Sequence, residues 1–428
     1  MNRYENYFET GFEWIGKIPS SWELSRVGKF FTERSEKVDD VTYPPLSVTM
    51  NGIVDQLSDV AKSNDNDNRK LVKKDDFVIN SRSDRKGSSG IAPRDGSVSL
   101  INIVLAPKNI DPKYIENLFK SYFFKEEYFR NGKGIHWDLW TTRWEQFKNI
   151  NIPVPPIEEQ KLISRYLDKK TSQIDSLVEK IQKKIELLKE QRTSLINHYV
   201  TKGLDPNVEM KDSGVEWIGE IPKHWKISKL KYLCPNGVQY GLNIDSDSYR
   251  ESGVRFVRIT DITSDGRLKK TDGVYLSQND VPDEYYVRIN DILFSRSGGT
   301  VGKSIRIEDL DSDTSFAGYL VRFSFEDSDL SKFVKLVTES GFFWKWIDIQ
   351  IIQSTIQNVN GEKFSNFSFP LPPKVEQKSI VHSVQDKLKI IVKNISNNEL
   401  KVQLLLEYRQ SLISSVVTGK VRVTEDMI

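Results

Sequence analysis

The chain states one phrase twice, and that repetition limits its architecture more than any other feature. Glu13-Trp14-Ile15-Gly16-Lys17-Ile18-Pro19 returns 203 residues later as Glu216-Trp217-Ile218-Gly219-Glu220-Ile221-Pro222, with Trp22 echoed by Trp225. A second block, Pro153-Val154-Pro155-Pro156 with Glu159-Gln160-Lys161, returns at an offset of 217 as Pro370-Leu371-Pro372-Pro373 with Glu376-Gln377-Lys378. A unit of this length is too long for a solenoid repeat and reads as a domain plus connector, duplicated. The offset grows by 14 between the blocks, so the second intervening domain is the longer one. The frame repeats while its filling differs, which suits two different readers in equivalent positions.

The 428 residues allow two or three domains, each able to bury its own core. No apolar run reaches the roughly 20 residues that span a bilayer, and Met1-Asn2-Arg3-Tyr4-Glu5 lacks a signal-peptide layout. The lone cysteine, Cys234, excludes an internal disulfide and fits a reducing, cytoplasmic setting. A net charge of +2, from 62 basic and 60 acidic side chains, is unlike a non-specific DNA coater. Nucleic-acid binding would need local basic loops, or partner subunits that supply most phosphate contacts.

Residues 13–152 and 216–369 read as mixed α/β. Strand-like stretches at Phe77-Val78-Ile79 and Val98–Val104 are matched by Val254–Ile259, Ile292-Leu293-Phe294 and Leu320–Phe323. Each domain then carries a helix-like aromatic stretch, Tyr114–Phe129 and Phe333–Ile347, and closes on Phe147-Lys148-Asn149-Ile150 or Phe364-Ser365-Asn366-Phe367.

After each proline block runs a segment free of Gly and Pro, from about Glu158 to Lys202 and from about Val375 to Thr418. Apolar residues recur at spacings of four and three: Ile163, Leu167, Ile174, Val178, Ile181, Ile185, Leu188, Leu195 and Tyr199, then Ile380, Val384, Ile391, Ile395, Val402, Leu405, Leu412 and Val416. This is a coiled-coil seam, and the matching seam on the twin helix is its obvious partner. About 40 residues at 1.5 Å each make a rod of roughly 60 Å. Antiparallel pairing would relate the two units by an approximate two-fold rotation. Thr171, Arg192, Asn398 and Arg409 interrupt the seam, either as register-setting polar residues or as solvent-facing edges.

Paired variable domains, each opened by Glu-Trp-Ile-Gly-x-Ile-Pro-x-x-Trp and closed by Pro-x-Pro-Pro-x-x-Glu-Gln and a long helix, resemble the specificity subunits of type I restriction-modification systems. The resemblance covers essentially the whole chain. It implies a non-catalytic, DNA-reading subunit of mixed α/β class, with two target-recognition domains in a pseudo-two-fold arrangement separated by two long antiparallel coiled-coil helices. The domains would be residues 1–157 and 204–373, with a central conserved helix at 158–203 and a C-terminal conserved helix at 374–428. It further implies double-stranded DNA as target, two adenine methyltransferase subunits as partners, and optionally two restriction subunits. No cofactor is expected in this chain; S-adenosylmethionine, ATP and Mg would sit on the partners. No tandem repeat that could set spacer length is present in Ser194–Leu204.

The residues support the non-catalytic reading. There is no Asn- or Asp-Pro-Pro-aromatic motif and no glycine-rich loop for S-adenosylmethionine, and the four histidines suggest no metal site by spacing. Gly298-Gly299-Thr300-Val301-Gly302-Lys303-Ser304 looks like a phosphate loop. Only three residues separate Gly298 from Gly302 where four are needed, and Ile305-Arg306-Ile307 continues as a strand instead of a helix.

The same stretch fits a DNA reader. Ser295-Arg296-Ser297 follows one strand, and Ser81-Arg82-Ser83 follows the corresponding strand of the first copy. Because both copies share the phrase, its arginines are expected to hold phosphate or scaffold; the alternative is pairing with Asp76 or Asp291. Base readout is expected from unshared loops. In the first domain these hold Arg85, Lys86, Ser88, Ser89, Lys133, His136, Thr141, Thr142 and Arg143. In the second they hold Gln239, Tyr240, Thr300, Lys303, Gln353, Ser354, Thr355, Gln357 and Asn358. Trp14 and Trp217 read as packing anchors. Competing readings are a methylation-only or fused nuclease-methyltransferase relative, an NTP-binding switch at Gly298–Ser304, and a coiled-coil scaffold without nucleic acid.

Overall fold

Neither long helix could stay folded in water with its apolar stripe bare, and both stripes find a partner. The computed structural model describes all residues except Met1, 58–67, 83–85, 135–139, 264–265, 270 and 353–357. The helices run over Ile157–Lys202 and Lys374–Val417, within one residue of the limits read from the sequence. Contacts group the chain into two units: Met1–Gln182 with Leu400–Ile428, and Lys183–Glu399.

In the first unit Ile163, Leu167, Ile174 and Val178 share a core with Leu412, Ile413, Val416 and Val417. Asp175 accepts from Arg409 at 2.8 and 3.1 Å, and Arg165 donates to Glu425 at 3.1 Å, so the segments run antiparallel. In the second unit Ile196, Tyr199 and Val200 pack with Ile380, Val384 and Leu388. There Lys387 donates to the Tyr199 hydroxyl at 2.6 Å and Lys189 lies 3.4 Å from Glu399, again antiparallel.

The interrupting polar residues have separate uses. Arg409 ties the two helices through Asp175, whereas Arg192 ties the central helix to Glu339 of the second reader. The Thr171 hydroxyl bonds back to the Leu167 carbonyl at 2.8 Å, and Asn398 to that of Asn394 at 2.6 Å.

The shared phrases are shared because each closes the same joint. Gln160 and Gln377, both buried, donate at 2.8 Å to the carbonyls of Pro155 and Pro372, groups that the proline-broken backbone would otherwise leave unpaired. Gly16 and Gly219 take φ of 71° and 76° after their tryptophans, a left-handed turn that glycine adopts without strain. Trp14 is buried against Phe124, and Trp217 packs on the second core, as packing anchors should. Each long helix ends in a positive-φ glycine, Gly203 or Gly419, seated on Trp225 or Trp22.

The readers share a four-stranded antiparallel sheet. Its order is Ser89–Ile91, Phe77–Asn80, Asn102–Pro107, Phe31–Glu33 in the first, and Ser304–Arg306, Ile292–Ser295, Leu320–Phe323, Val238–Tyr240 in the second. A two-stranded ribbon joins each reader to its helix: Glu23–Arg26 with Asn151–Val154, and Lys226–Lys229 with Ser368–Leu371.

Three expectations are corrected. The helical stretches Tyr114–Phe129 and Phe333–Ile347 are helix pairs, Pro112–Lys120 with Tyr122–Arg130 and Ser328–Thr338 with Gly341–Ile352. Ser121 and Ser340 break them: each hydroxyl donates at 2.6 Å to a carbonyl three residues back and accepts from an N–H three residues ahead. Val98–Val104 is not one strand, because Asn102 folds back onto the Ser99 carbonyl and separates Gly96–Val98 from Asn102–Pro107. The third strand-like run, Val254–Ile259, ends at Val257, and a tight turn at Ile259–Asp261 follows.

The fillings differ in the second sheet. The first reader has Gly96–Val98, Arg69–Val72 and Lys37–Val38, all antiparallel. The second has Val274–Leu276, Val254–Val257 and Thr314–Phe316, the last pair parallel.

Two predictions concern the joints. A Cβ on Gly419 would lie 2.3 Å from Pro19 Cδ at φ +71°, whereas one on Gly203 would meet Trp225 at 3.0 Å. Gly419→Ala should therefore lower the melting temperature more than Gly203→Ala, by about 2 kcal/mol or more of stability against about 1, read by thermal denaturation. The Glu339 carboxyl feels burial, which raises its pKa, but Lys335 and Arg192 outweigh this and hold it below the usual carboxylate range. A depressed folded pKa contributes stability above the unfolded value that is lost as pH falls. The stability gap between the parent chain and Glu339→Gln should accordingly shrink below about pH 4, measured in denaturant titrations at several pH values.

Candidate nucleic-acid interface

One of the two central strands of each four-stranded sheet, Phe77–Asn80 or Ile292–Ser295, is launched by the same turn. Asp75 and Asn290 take φ of 69° and 77°, and the next residues, Asp76 and Asp291, are buried carboxylates. Asp76 accepts from Arg34 at 2.7 and 3.1 Å and from the Lys73 N–H at 2.8 Å. Asp291 accepts from the Arg288 N–H at 2.8 Å and lies 3.6 Å from Arg322; burial dominates and pushes its carboxyl up. These partners exclude the alternative in which Arg82 and Arg296 neutralise Asp76 and Asp291.

The Ser-Arg-Ser phrases are not equivalent in space. The Asn80 N–H bonds the Ser88 carbonyl as the Ser295 N–H bonds that of Lys303. The Thr142 N–H bonds Ser81 as the Val359 N–H bonds Arg296. Arg82 bridges Thr141 as Ser297 bridges Asn358. Arg82 therefore corresponds to Ser297, and Arg296 to Ser81. The shared phrase has slipped by one residue, which on a strand reverses the side to which each side chain points. The two arginines are accordingly not equivalent in position.

In the first reader a cleft is lined by Asn80, Ser81, Arg82, Lys86, Gly87, Tyr128, Phe129, Trp140 and Thr142. Trp140 stacks on Phe129 at 6.0 Å and donates its indole N–H to the Phe129 carbonyl at 2.8 Å. Lys86 sits 4.6 Å over Phe129 and pairs with Glu126 at 2.7 Å. The Ser81 hydroxyl bonds the Ile101 carbonyl at 2.6 Å, and the buried Thr142 hydroxyl that of Tyr128 at 2.9 Å. Ser88 and Ser89 are buried. Arg82, Lys133 and Arg143 are exposed. Ser83, Arg85 and His136 lie outside the described residues.

In the second reader the Arg296 Nε–H donates to the Gly318 carbonyl at 3.0 Å, and its guanidinium lies 5.1 Å over Tyr240. The Tyr240 hydroxyl accepts from the Gly361 N–H at 2.9 Å. Gln239 accepts from Arg322 and donates to the Glu284 carbonyl at 3.0 Å, so both ends of its amide are engaged inside the domain. Ser295 is buried and bonds Thr300 at 2.7 Å. Gln353, Ser354, Thr355 and Gln357 lie outside the described residues.

The phosphate-loop look-alike is a hairpin. Gly302, at φ 85°, matches Gly87, also at 85°, and Lys303 precedes the strand Ser304–Arg306. The helix N-terminus that such a loop needs is absent at this point.

Two features escaped the sequence reading. Trp140 floors the cleft, and its signal would have been Gly132, where a Cβ would lie 2.1 Å from the indole. Asn360 caps Gly361–Ser365 by accepting from the Lys363 N–H, and it stands where Arg143 precedes Trp144–Phe147. The constant offset of 217 would have paired them.

With this geometry in place, the comparisons define the class. The family described as type I restriction modification DNA specificity domain matches residues 19–187 and 222–402. The chain belongs to that family: it is a DNA-recognition subunit and not a catalytic one. It is 26% identical over 430 residues to the MjaVIII specificity subunit of Methanocaldococcus jannaschii, covering 95% of this chain and 94% of that one. It is 23% identical over 440 residues to the StySPI specificity subunit of Salmonella potsdam, covering 95% and 90%. A solved chain, from work on complex assembly and conformational transition of the type I R-M system, shares the fold with a TM-score of 0.68. Its identity is 17%, over 94% of this chain and 99% of that one. Among the described residues no helix is long and apolar enough to cross a membrane.

Gln239→Ala should act on stability rather than on recognition. It removes one partner of the mostly buried Arg322, which keeps the Tyr286 and Glu284 carbonyls, at a cost of roughly 1–3 kcal/mol, while the recognised sequence should stay the same, as read by melting and by methylation-site sequencing.

Proposed function

We propose that the chain reads a bipartite duplex target, one half-site per reader, and scaffolds two adenine methyltransferase subunits, with room for restriction subunits. The observation that carries this reading is one frame built twice with unlike side chains at matched edge positions: Arg82 against Ser297, Thr141 against Asn358, Arg143 against Asn360. Shared geometry with exchanged donors and acceptors is what two different base sequences require. The described candidates that leave side chains to solvent, Arg82, Lys133, Arg143, Tyr240 and in part Lys303, supply the contacts, and Arg85, His136, Gln353 and Gln357, close to them in sequence, are candidates beside them. Docking is supported by the long helices. Leu187 and Leu404 occupy equivalent positions at the offset of 217 and are 53% and 54% exposed, so both copies offer the same apolar side chain to a partner.

The test is a domain exchange. Replacing residues 23–146 with the matching segment of another specificity subunit should change one half of the methylated sequence and leave the other half and the spacer unchanged. Methylome sequencing of cells carrying the chimera reads this directly. Simultaneous change of both halves would defeat the two-reader assignment.

A further inference from the structure

The one-residue slip separates two arginines that look alike in sequence, and their surroundings differ accordingly. Thr141 exchanges both backbone hydrogen bonds with Lys133, at 3.0 Å each, and bridges Arg82 on its other side. Cross-strand partners carry their side chains on one face, so Arg82, Thr141 and Lys133 form a short row. The neighbours Trp140 and Thr142 turn to the opposite face, where they bond Phe129 and Tyr128. Both cations of the row are exposed, and among the described residues neither has a hydrogen-bond or ion-pair partner for its side chain. The two cations flank Thr141 on one face, two strand spacings apart, and an anion seated between them would offset their mutual repulsion. A phosphate would answer that arrangement: the guanidinium grips it through two N–H groups and the ammonium adds a point charge.

Among its described residues the second reader has no such row. Ser297 stands in the place of Arg82 and Asn358 in that of Thr141, and among the described residues Asn358 bridges Ser297 alone. Its arginine lies one residue earlier and is turned into the domain. There Arg296 fastens the Gly318 carbonyl through Nε and lies over Tyr240, whose hydroxyl holds the start of Gly361–Ser365. Lysine could supply the charge at that position but not a planar group that both stacks and donates from Nε.

We propose that Arg82, Thr141 and Lys133 form a DNA-phosphate site of the first reader, with no counterpart among the described residues of the second, and that Arg296 is a positioning residue of the second reader. The proposal rests on the reading of the chain as a DNA-binding subunit.

The experiment uses the full chain assembled with its methyltransferase partners and a 40-base-pair duplex carrying the methylated sequence. Affinity is measured across a salt series, on this duplex and on versions with either half-site scrambled. Arg82→Ala and Lys133→Ala should each flatten the log–log salt slope by about one, and together by about two. Arg82→Lys should keep the parent slope. Arg296→Ala and Arg296→Lys should both leave the slope alone and weaken discrimination at one half-site only, the one that the exchange of residues 23–146 leaves unchanged. The proposal is overturned if Arg82→Ala leaves the slope unchanged, if Arg296→Ala flattens it equally, or if Arg296→Lys restores full discrimination. Should the parent complex fail to tell scrambled from intact duplex, the reading under Proposed function falls, while the slopes still decide the phosphate site.

Discussion

The apolar seam that neither long helix can bury alone is the constraint on which the rest depends. Helices in proteins draw most of their stability from burying one face, and here each half of each long helix buries that face on a segment of the other. The core of the first unit needs Leu412 and Val416 beside Ile163 and Leu167. The core of the second needs Ile196 and Val200 beside Ile380 and Val384. Each reader is therefore completed by residues that the chain supplies from outside the reader's own span, and the joints must be alike for that to happen twice. This is why the shared vocabulary sits at the joints and not in the sheets. The prolines stop the ribbon, the glutamines satisfy the carbonyls so exposed, and the glycines end the helices against tryptophan.

That vocabulary was legible because each of its elements is a local device with one physical meaning. The Gly- and Pro-free segments with apolar spacing of four and three gave both long helices to within a residue. The doubled phrases gave the duplicated frame. What escaped the reading was decided by side chains reaching the backbone over a few residues. Ser121 and Ser340 are unremarkable letters in aromatic stretches, yet each breaks a helix by bonding the backbone on both sides. Asn102 ends a turn inside what reads as a single apolar run. The parallel pairing of Val254–Val257 with Thr314–Phe316 depends on contacts about 60 residues apart in sequence, beyond the reach of any local pattern.

The slip between the two Ser-Arg-Ser phrases is the most instructive miss, because identical letters suggested identical roles. Side-chain direction on a strand has a period of two, so identity of sequence without identity of register carries no functional equivalence. The anchors that set the register lie outside the phrase: Asp76 and Asp291 before it, Gly87 and Gly302 after it. Between those anchors the two loops have the same length, and counted from them Arg82 falls on Ser297. The glycines and buried carboxylates were visible in the sequence, and aligning on them instead of on the arginine would have exposed the slip.

The same anchors explain how the edges can diverge without loss of the fold. The carboxylates are satisfied from within the domain, by Arg34 and the Lys73 N–H in one reader and by the Arg288 N–H and Arg322 in the other. The glycines accept a backbone conformation, not a side-chain partner. Nothing in either device depends on what residues 82, 141 and 143, or 297, 358 and 360, carry at their tips. A loop whose two ends are fixed by backbone geometry and buried charge can exchange arginine for serine or asparagine at little cost in stability. Divergence of this edge and retention of the joints thus follow from one arrangement of the same sheet.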